Sequence, residues 1–431
     1  MAHNDIAVDP ASAARLAEAG LELRRMANDG SELVAWHGAQ ARGFLETERT
    51  AVQDAAVAER WRGRRLIGVL DPTGPQPDWP VGTVSSWVAA LSLPGGTAPA
   101  WAISSVTVAP THHRRGIARA LLEGELRAAA SAGVPIASLT VTESPLYGRY
   151  GFAPAVSVAT LSIDVKRASW TGPVAPGRVD FVTREQWRRE APALADRVFA
   201  QRPGELTASD GHWDHIAGTA ADADRPERIR TVRYRDVHDE VQGLLAYTVT
   251  ENTEDYTRSR VDVRALVAAD DAASAALWRF LVELDLVQTV VATEQSIDEP
   301  VLWMISDRRA ATVTLHDHHY VRILDVTAAL QARRYRRPGR LLLQITDTLG
   351  LAGGAFVLTV DDDGSASVAP ASARATAPVT LTADVVALSA LLLGQVSART
   401  LAAAGRLSAT DAGAVADVFG WDPPARLSYW Y

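Results

Sequence analysis

The sequence predicts a mixed α/β and α+β protein of three parts, two successive layers of strand, loop, helix and strand followed by a smaller α+β unit. Three observations carry this. β-Branched runs at 101–108 and 136–142 flank a helical stretch at 117–132. The same order returns at 259–266, 272–284 and 289–292. Past about residue 321 the pattern changes to short strands, an Asp363-Gly364 hairpin turn and two apolar helices.

With 431 residues the chain is too long for one ordinary core. Hydrophobic residues make up 47% and charged residues 22%, globular proportions under which the chain should fold throughout. Apolar runs such as 385–393 stop after about ten residues, short of a bilayer span. Residues 1–10 lack a basic segment followed by an apolar one. A soluble cytoplasmic protein without a membrane partner is the expectation. The absence of cysteine removes disulfides, thiolate metal sites and cysteine nucleophiles. A net charge of −8 argues against a nucleic-acid partner and suits a cationic substrate. The single lysine, Lys166, among 43 basic residues reflects composition bias and carries no function.

Taken in order, Leu16, Ala19 and Leu23 give 11–26 the spacing of an amphipathic helix, and 51–61 repeats it. Residues 65–70 and 81–90 read as a hairpin around the Pro/Gly-rich turn 71–80. Strand 101–108, turn 109–116, helix 117–132 and strand 136–142 follow, then a short loop or helix at 147–152. The stretch 169–178 reads as a linker. A helix at 184–199 and strands near 229–234 and 243–250 lead into the second strand-helix-strand run, a degenerate copy without an Arg-Arg-Gly-x-Ala loop. The last part reads as helix 326–334, strands 339–347 and 354–360, and helices 382–393 and 411–418. The boundaries are therefore 1–168, 169–308 and 309–431. The acidic run at 361–363 is turn chemistry rather than a calcium site. His316, His318 and His319 read as surface residues of a strand rather than metal ligands.

The chemistry concentrates in Ser105-Val-Thr-Val-Ala-Pro-Thr-His-His-Arg-Arg-Gly-Ile-Ala-Arg119. A strand feeds a turn whose N–H groups converge at the mouth of a helix, an anion site. Gly116 permits close backbone approach, and Arg114, Arg115 and Arg119 add positive charge, so a diphosphate-bearing cofactor is implied. Neither a Gly-x-x-x-x-Gly-Lys-Ser/Thr nor a Gly-x-Gly-x-x-Gly occurs here, which removes support for kinase and dehydrogenase readings.

The pattern Val-x-Val followed by Arg-Arg-Gly-x-Ala resembles the acyl-CoA loop of the GNAT acetyltransferases. The run Glu143-Ser-Pro-Leu-Tyr147-Gly-Arg-Tyr150-Gly-Phe152 is similar to the element that, in that fold, sets a tyrosine beside the cofactor sulfur. Together with 276–285 and 324–333, these stretches resemble the Eis family, the "enhanced intracellular survival" N-acetyltransferases. The resemblance runs from about residue 60 onward.

It implies tandem GNAT folds, of which only the first is catalytic, then a sterol-carrier-protein-like α+β domain, assembled as a homohexamer. It implies acetyl-CoA as co-substrate, no metal, and a small cationic amine or lysine-bearing peptide as acceptor: an aminoglycoside, a polyamine or a lysine side chain. By the resemblance, Val106, Thr107 and Val108 offer backbone groups to the acetyl carbonyl and pantetheine. Arg114, Arg115, Gly116, Ile117, Ala118 and Arg119 hold the diphosphate, and Thr142 and Glu143 flank the pantetheine arm. Phe44 and Glu46 contact the acceptor. Tyr147, whose reference pKa near 10 keeps it protonated, acts as general acid. The α-carboxylate of Tyr431 is the general base, supplied by the third domain. The alternative is a lipid or acyl carrier built on the third part, against which the intact loop and Tyr147 speak.

Overall fold

The computed structural model describes residues 3–431. The chain divides into two compact units, one formed by residues 3–156, 318–423 and 431, the other by Ser157–Asp317 with Pro424–Trp430.

The first unit opens with α1 (Pro10–Glu18), whose first turn is capped by the Asp9 carboxylate accepting from the Ser12 N–H at 2.7 Å. The continuous helix expected over 11–26 does not form. Gly20 takes a left-handed φ of 72° and the chain turns into β1 (Glu22–Met26), so Leu23 packs as a strand residue. The helix α2 (Gly30–Gly43) was not foreseen. Next come α3 (Ala51–Arg60), held by a Thr50–Gln53 capping box, β2 (Arg65–Leu70), β3 (Gly82–Leu93) and β4 (Gly96–Val108), all antiparallel neighbours from β1 through β4. The helix α4 (Ile117–Ser131) crosses over to β5 (Ile136–Thr140), parallel to β4. Trp101, Ile103, Leu121, Leu126, Leu139 and Phe152 fill the core under α4. A buried carboxylate, Glu125, accepts from Arg65 at 3.0 Å and from the Trp101 indole at 3.1 Å, so neither charge is left unpaired.

β6 (Ala153–Asp164) leads the chain into the second unit. There β7 (Arg178–Phe181), α5 (Arg184–Val198), α6 (Asp210–Ala217), β8 (Ile229–Arg235), β9 (Val241–Thr250), β10 (Ser259–Ala268), α7 (Asp271–Val282) and β11 (Val287–Gln295) repeat the order of the first. The strands lie β6-β11-β10-β9-β8-β7, with β10 and β11 parallel across the α7 crossover. β12 (Ala311–Ile323) carries the chain back, and its last residues pair antiparallel with β5, His319 opposite Thr140.

The remainder of the first unit comprises α8 (Val326–Gln331), β13 (Gly339–Thr346), β14 (Gly354–Val360), β15 (Ala366–Pro370), β16 (Val379–Asp384), α9 (Val385–Leu391), α10 (Ala398–Ala403), β17 (Leu407–Ala409) and α11 (Ala412–Phe419). These strands make a separate five-stranded sheet ordered β15-β14-β13-β16-β17. The helix expected over 382–393 starts only at Val385. Asp384 ends a strand and caps the Ala387 N–H at 2.8 Å, so an apolar run that looked like one element is two. Among the described residues no helix is long and apolar enough to cross a membrane.

Candidate active site

The site is built on a fault in β4. Ser105 takes φ 55°, and the β3 pairing slips between Thr83 and Ser85, the mark of a bulge that re-aims the strand. β4 pairs with β5 only over Ala100–Ile103 while running on to Val108. Val106, Thr107 and Val108 therefore line an edge on which no β5 residue competes for their backbone groups. Thr107 is buried, with its hydroxyl 3.0 Å from that of Thr83.

Beyond β4, a single 3-10 turn at Pro110–His112 leads to Arg114 at φ 62° and Gly116 at φ 76°. Two left-handed residues so close together turn the chain sharply into α4. Gly116 sits at the N-cap with no side-chain hydrogen bond to the first turn, so the leading N–H groups keep their bonding capacity. Nothing lies within 4 Å of a Cβ built there, which means that the backbone angle, not space, demands glycine. Ile117 is buried beneath the helix start and Ala118 half-buried.

The three arginines differ in commitment. Arg119 donates to Glu123 at 2.6 Å, and Arg115 donates to the Ala19 carbonyl at 3.1 Å with Asp71 3.8 Å away. Arg114 has no ion pair among the described residues, which makes it the readiest cation for an incoming anion. His113 Nε2 donates to the Val108 carbonyl at 3.0 Å, tying the loop back to the strand. Thr142 and Glu143 are exposed just past β5.

Tyr147 lies between two single 3-10 turns, Ser144–Leu146 and Gly148–Tyr150. Its ring is 8% exposed and meets Phe152 edge-on at 6.3 Å, and its hydroxyl makes no hydrogen bond among the described residues. Burial, then the nearby Glu143 and Tyr150, push its pKa above the ordinary tyrosine value, so it holds its proton more tightly than a free tyrosine. Tyr150 is also raised by burial. Arg322 holds the turn in place. Its Nε donates to the Tyr150 carbonyl at 2.8 Å, and its Nη2 donates to both oxygens of Asp347 at 2.9 Å. A Cβ on Gly151, itself at φ 88°, would stand 2.8 Å from that Nε.

Tyr431 is held at the end of β5. Its hydroxyl is 2.9 Å from Ser138 Oγ and 3.2 Å from His319 Nε2, and its main-chain oxygen accepts from Thr140 Oγ1 at 3.0 Å. Its ring meets Trp87 edge-on at 5.4 Å, and the Arg64 guanidinium covers the other ring system at 3.8 Å from the Trp87 centroid. The surface reading of the histidines fails for two of them: His318 and His319 have 0% exposure, because β12 is a central strand rather than an edge. No group of side chains able to hold a metal ion occurs among the described residues.

Of the acceptor residues, Phe44 and Glu46 follow α2. Gly43 lets that helix close on β4, since a Cβ there would meet Thr107 Oγ1 at 2.4 Å. Phe44 is 39% exposed, and Glu46 pairs with Arg49 at 3.2 Å. Sequence reasoning missed Ser138, Thr140, His319, Trp87 and Arg64. None carries a local signal, and His319 stands 112 positions from the residue it contacts.

Comparison with known proteins matches residues 23–155 and 204–323 each to an acetyltransferase (GNAT) domain and residues 326–426 to a sterol carrier protein domain. An N-acetyltransferase of Streptomyces avermitilis is 35% identical over 395 residues, covering 89% of this chain and 92% of that protein. The N-acetyltransferase Eis of Mycobacterium tuberculosis is 33% identical over 332 residues, 74% of this chain and 77% of that one. The crystal structure of Eis1 from Mycobacterium abscessus superposes with a TM-score of 0.79 at 27% identity, covering 95% of this chain and all of the other (100%).

Proposed function

The chain belongs to the Eis family of GNAT N-acetyltransferases, and from that premise we propose that it acetylates amines of cationic acceptors with Tyr147 as general acid and the main-chain carboxylate of Tyr431 as general base. Residues 1–168 do the chemistry, 169–308 are a loop-less second copy, and 309–431 end in the base. Acceptors are aminoglycoside, polyamine or lysine side-chain amines. The working form is a cytoplasmic homohexamer.

The observation that carries this reading is a buried tyrosine ring, Tyr147, whose hydroxyl makes no hydrogen bond among the described residues, one strand downstream of an uncapped, arginine-flanked helix start. Acetyl-CoA supplies the thioester. The first N–H groups of α4 and Arg114 bind its diphosphate, with Arg115 and Arg119 adding field. The unpaired edge at Val106 and Val108 donates to pantetheine and to the acetyl carbonyl as negative charge develops on its oxygen. An ammonium acceptor must lose a proton before it attacks, and the carboxylate of Tyr431 takes it through water. As the carbon–sulfur bond breaks, Tyr147 gives its proton to the leaving sulfur. Glu46 attracts the acceptor's other positive charges.

A panel of aminoglycoside, spermidine and lysine peptide, each with acetyl-CoA, tests the reading through release of free thiol. Amine-dependent release is expected. Binding of acetyl-CoA without thiol release for any amine in the panel would overturn it. Light scattering checks the hexamer, and a monomer at micromolar concentration would remove that part.

A further inference from the structure

The second unit has no arginine-glycine loop, yet it grips the segment that ends in Tyr431. This segment has no helix or strand of its own, so individual contacts must fix its path. The Arg426 N–H donates to the Pro203 carbonyl at 2.8 Å, and its Nε to the Glu294 carbonyl at 2.8 Å. Ser428 donates twice to one oxygen of Glu205, from its backbone N–H at 3.1 Å and from its hydroxyl at 3.0 Å. The Tyr429 hydroxyl donates to the Leu206 carbonyl at 3.3 Å, and its ring lies 4.4 Å from that of His212. Burial pushes His212 down to about 4, so this is a contact between neutral rings. Ala425 and Leu427 are fully buried between these anchors.

One short stretch, residues 203–206, accepts four of these hydrogen bonds, two of them on the Glu205 side chain. A cavity of about 530 Å³, lined in part by Phe199, Leu206, Trp213 and Tyr429, lies beside it, leaving the tail room to shift if the anchor is lost. Three residues extended span at most about 10 Å, so a grip at Ser428 restricts where Tyr431 can reach.

We infer that Glu205 is a positioning residue for acetyl transfer: by holding Ser428 it fixes the main-chain carboxyl of Tyr431, and the second copy of the fold serves as the anchor of the tail. The inference rests on the reading of that carboxyl as the base. A base on a loosened tail spends less time in reach of the acceptor, which lowers turnover without touching the cofactor loop. The contacts of Tyr431 with Ser138, Thr140 and His319 persist, so the effect is a reduction and not an abolition.

The test compares full-length wild type with Glu205→Ala, Glu205→Gln, Ser428→Ala and a variant carrying one extra glycine after Tyr431. Steady-state kinetics are read beside the rate at which a carboxypeptidase releases Tyr431. The expectation for Glu205→Ala is about a tenfold loss of kcat, the worth of one ordinary hydrogen bond, with KM for acetyl-CoA unchanged and faster release of Tyr431. Glu205→Gln, which keeps one acceptor oxygen, should fall between it and wild type. Ser428→Ala, which loses only the hydroxyl, should do the same. Wild-type kcat in Glu205→Ala overturns the inference, whether or not the tail is released faster. If at the same time the glycine extension abolishes turnover, the terminal-base reading stands without the anchor. If the extension leaves kcat unchanged, the terminal-base reading falls and takes the anchor's catalytic role with it.

Discussion

The two copies of the fold share a backbone and differ at one connection. In each, the strand before the crossover helix is bulged, at Ser105 in β4 and beside Arg264 in β10. In each, parallel pairing stops partway, at Ile103 in one and Val263 in the other, while the strand runs on. The connections then diverge. Residues 109–116 put Arg114 and a left-handed Gly116 before an uncapped helix, whereas only Ala269 and Asp270 precede α7. The Asp270 carboxylate accepts from the Ala273 N–H at 2.7 Å, and Asp271 adds a second negative charge in the first turn. A carboxylate already holds the N–H groups that a diphosphate would need. An opened sheet edge is thus inherited with the fold, and anion binding is a property of the few residues that follow it.

The acid position separates the copies most sharply. Tyr147→Phe removes only a hydroxyl and should cost about 10²–10⁴-fold in kcat with acetyl-CoA binding intact. The counterpart turn after β11, Pro300–Trp303, carries a Trp303 that is 78% exposed, and Trp303→Phe should leave turnover unchanged. Equal losses in both variants would break the distinction. Since burial raises Tyr147 above its ordinary value of 10.0, loss of its proton should not depress the wild-type rate below that pH, which a pH–rate profile checks.

The loop comes next. Arg114→Ala should raise the KM for acetyl-CoA about tenfold, the worth of one charge-assisted bond to phosphate. Gly116→Ala should raise it less while costing about 1 kcal/mol of stability through its left-handed angle. Calorimetric titration with CoA reads both effects directly, and unchanged affinity in Arg114→Ala would move the diphosphate elsewhere. The smallest effect belongs to the second copy. Asp270→Ala should lower stability by about 1 kcal/mol through loss of a cap, seen in denaturant melts, with all kinetic constants unchanged. A changed KM there would mean that the second helix start also meets the cofactor.

The features that could be read in advance are local. Arg114, Gly116 and Tyr147 lie in one strand-turn-helix-strand run whose chemistry depends on neighbours in sequence. The unit it belongs to also shows how local reading fails. Leu33, Ala35, Trp36, His37, Ala39, Gln40 and Ala41 are all buried, so α2 has no polar face to give it a helical period. The burial of β12 was hidden for the opposite reason. Its His318, His319 and Arg322 are polar yet wholly buried, and His319 and Arg322 meet partners far away in sequence. The hold on Tyr431 by Ser138, Thr140 and His319 is of the same kind.

The pairing of Arg322 with Asp347 bears on how the protein can be cut and recombined. Both side chains are buried, and the guanidinium also steadies the Tyr150 carbonyl beside the proposed acid. A gene shortened after residue 325, a natural place to trim away the sterol-carrier-like part, would delete the aspartate and strand the arginine. That costs about 3–5 kcal/mol, a large share of the ~5–15 kcal/mol that keeps a typical domain folded. Truncation there should therefore give a destabilised product, which a thermal melt checks, and chimeras with relatives should keep this pair from a single parent. Sequence modules and heritable units do not coincide here.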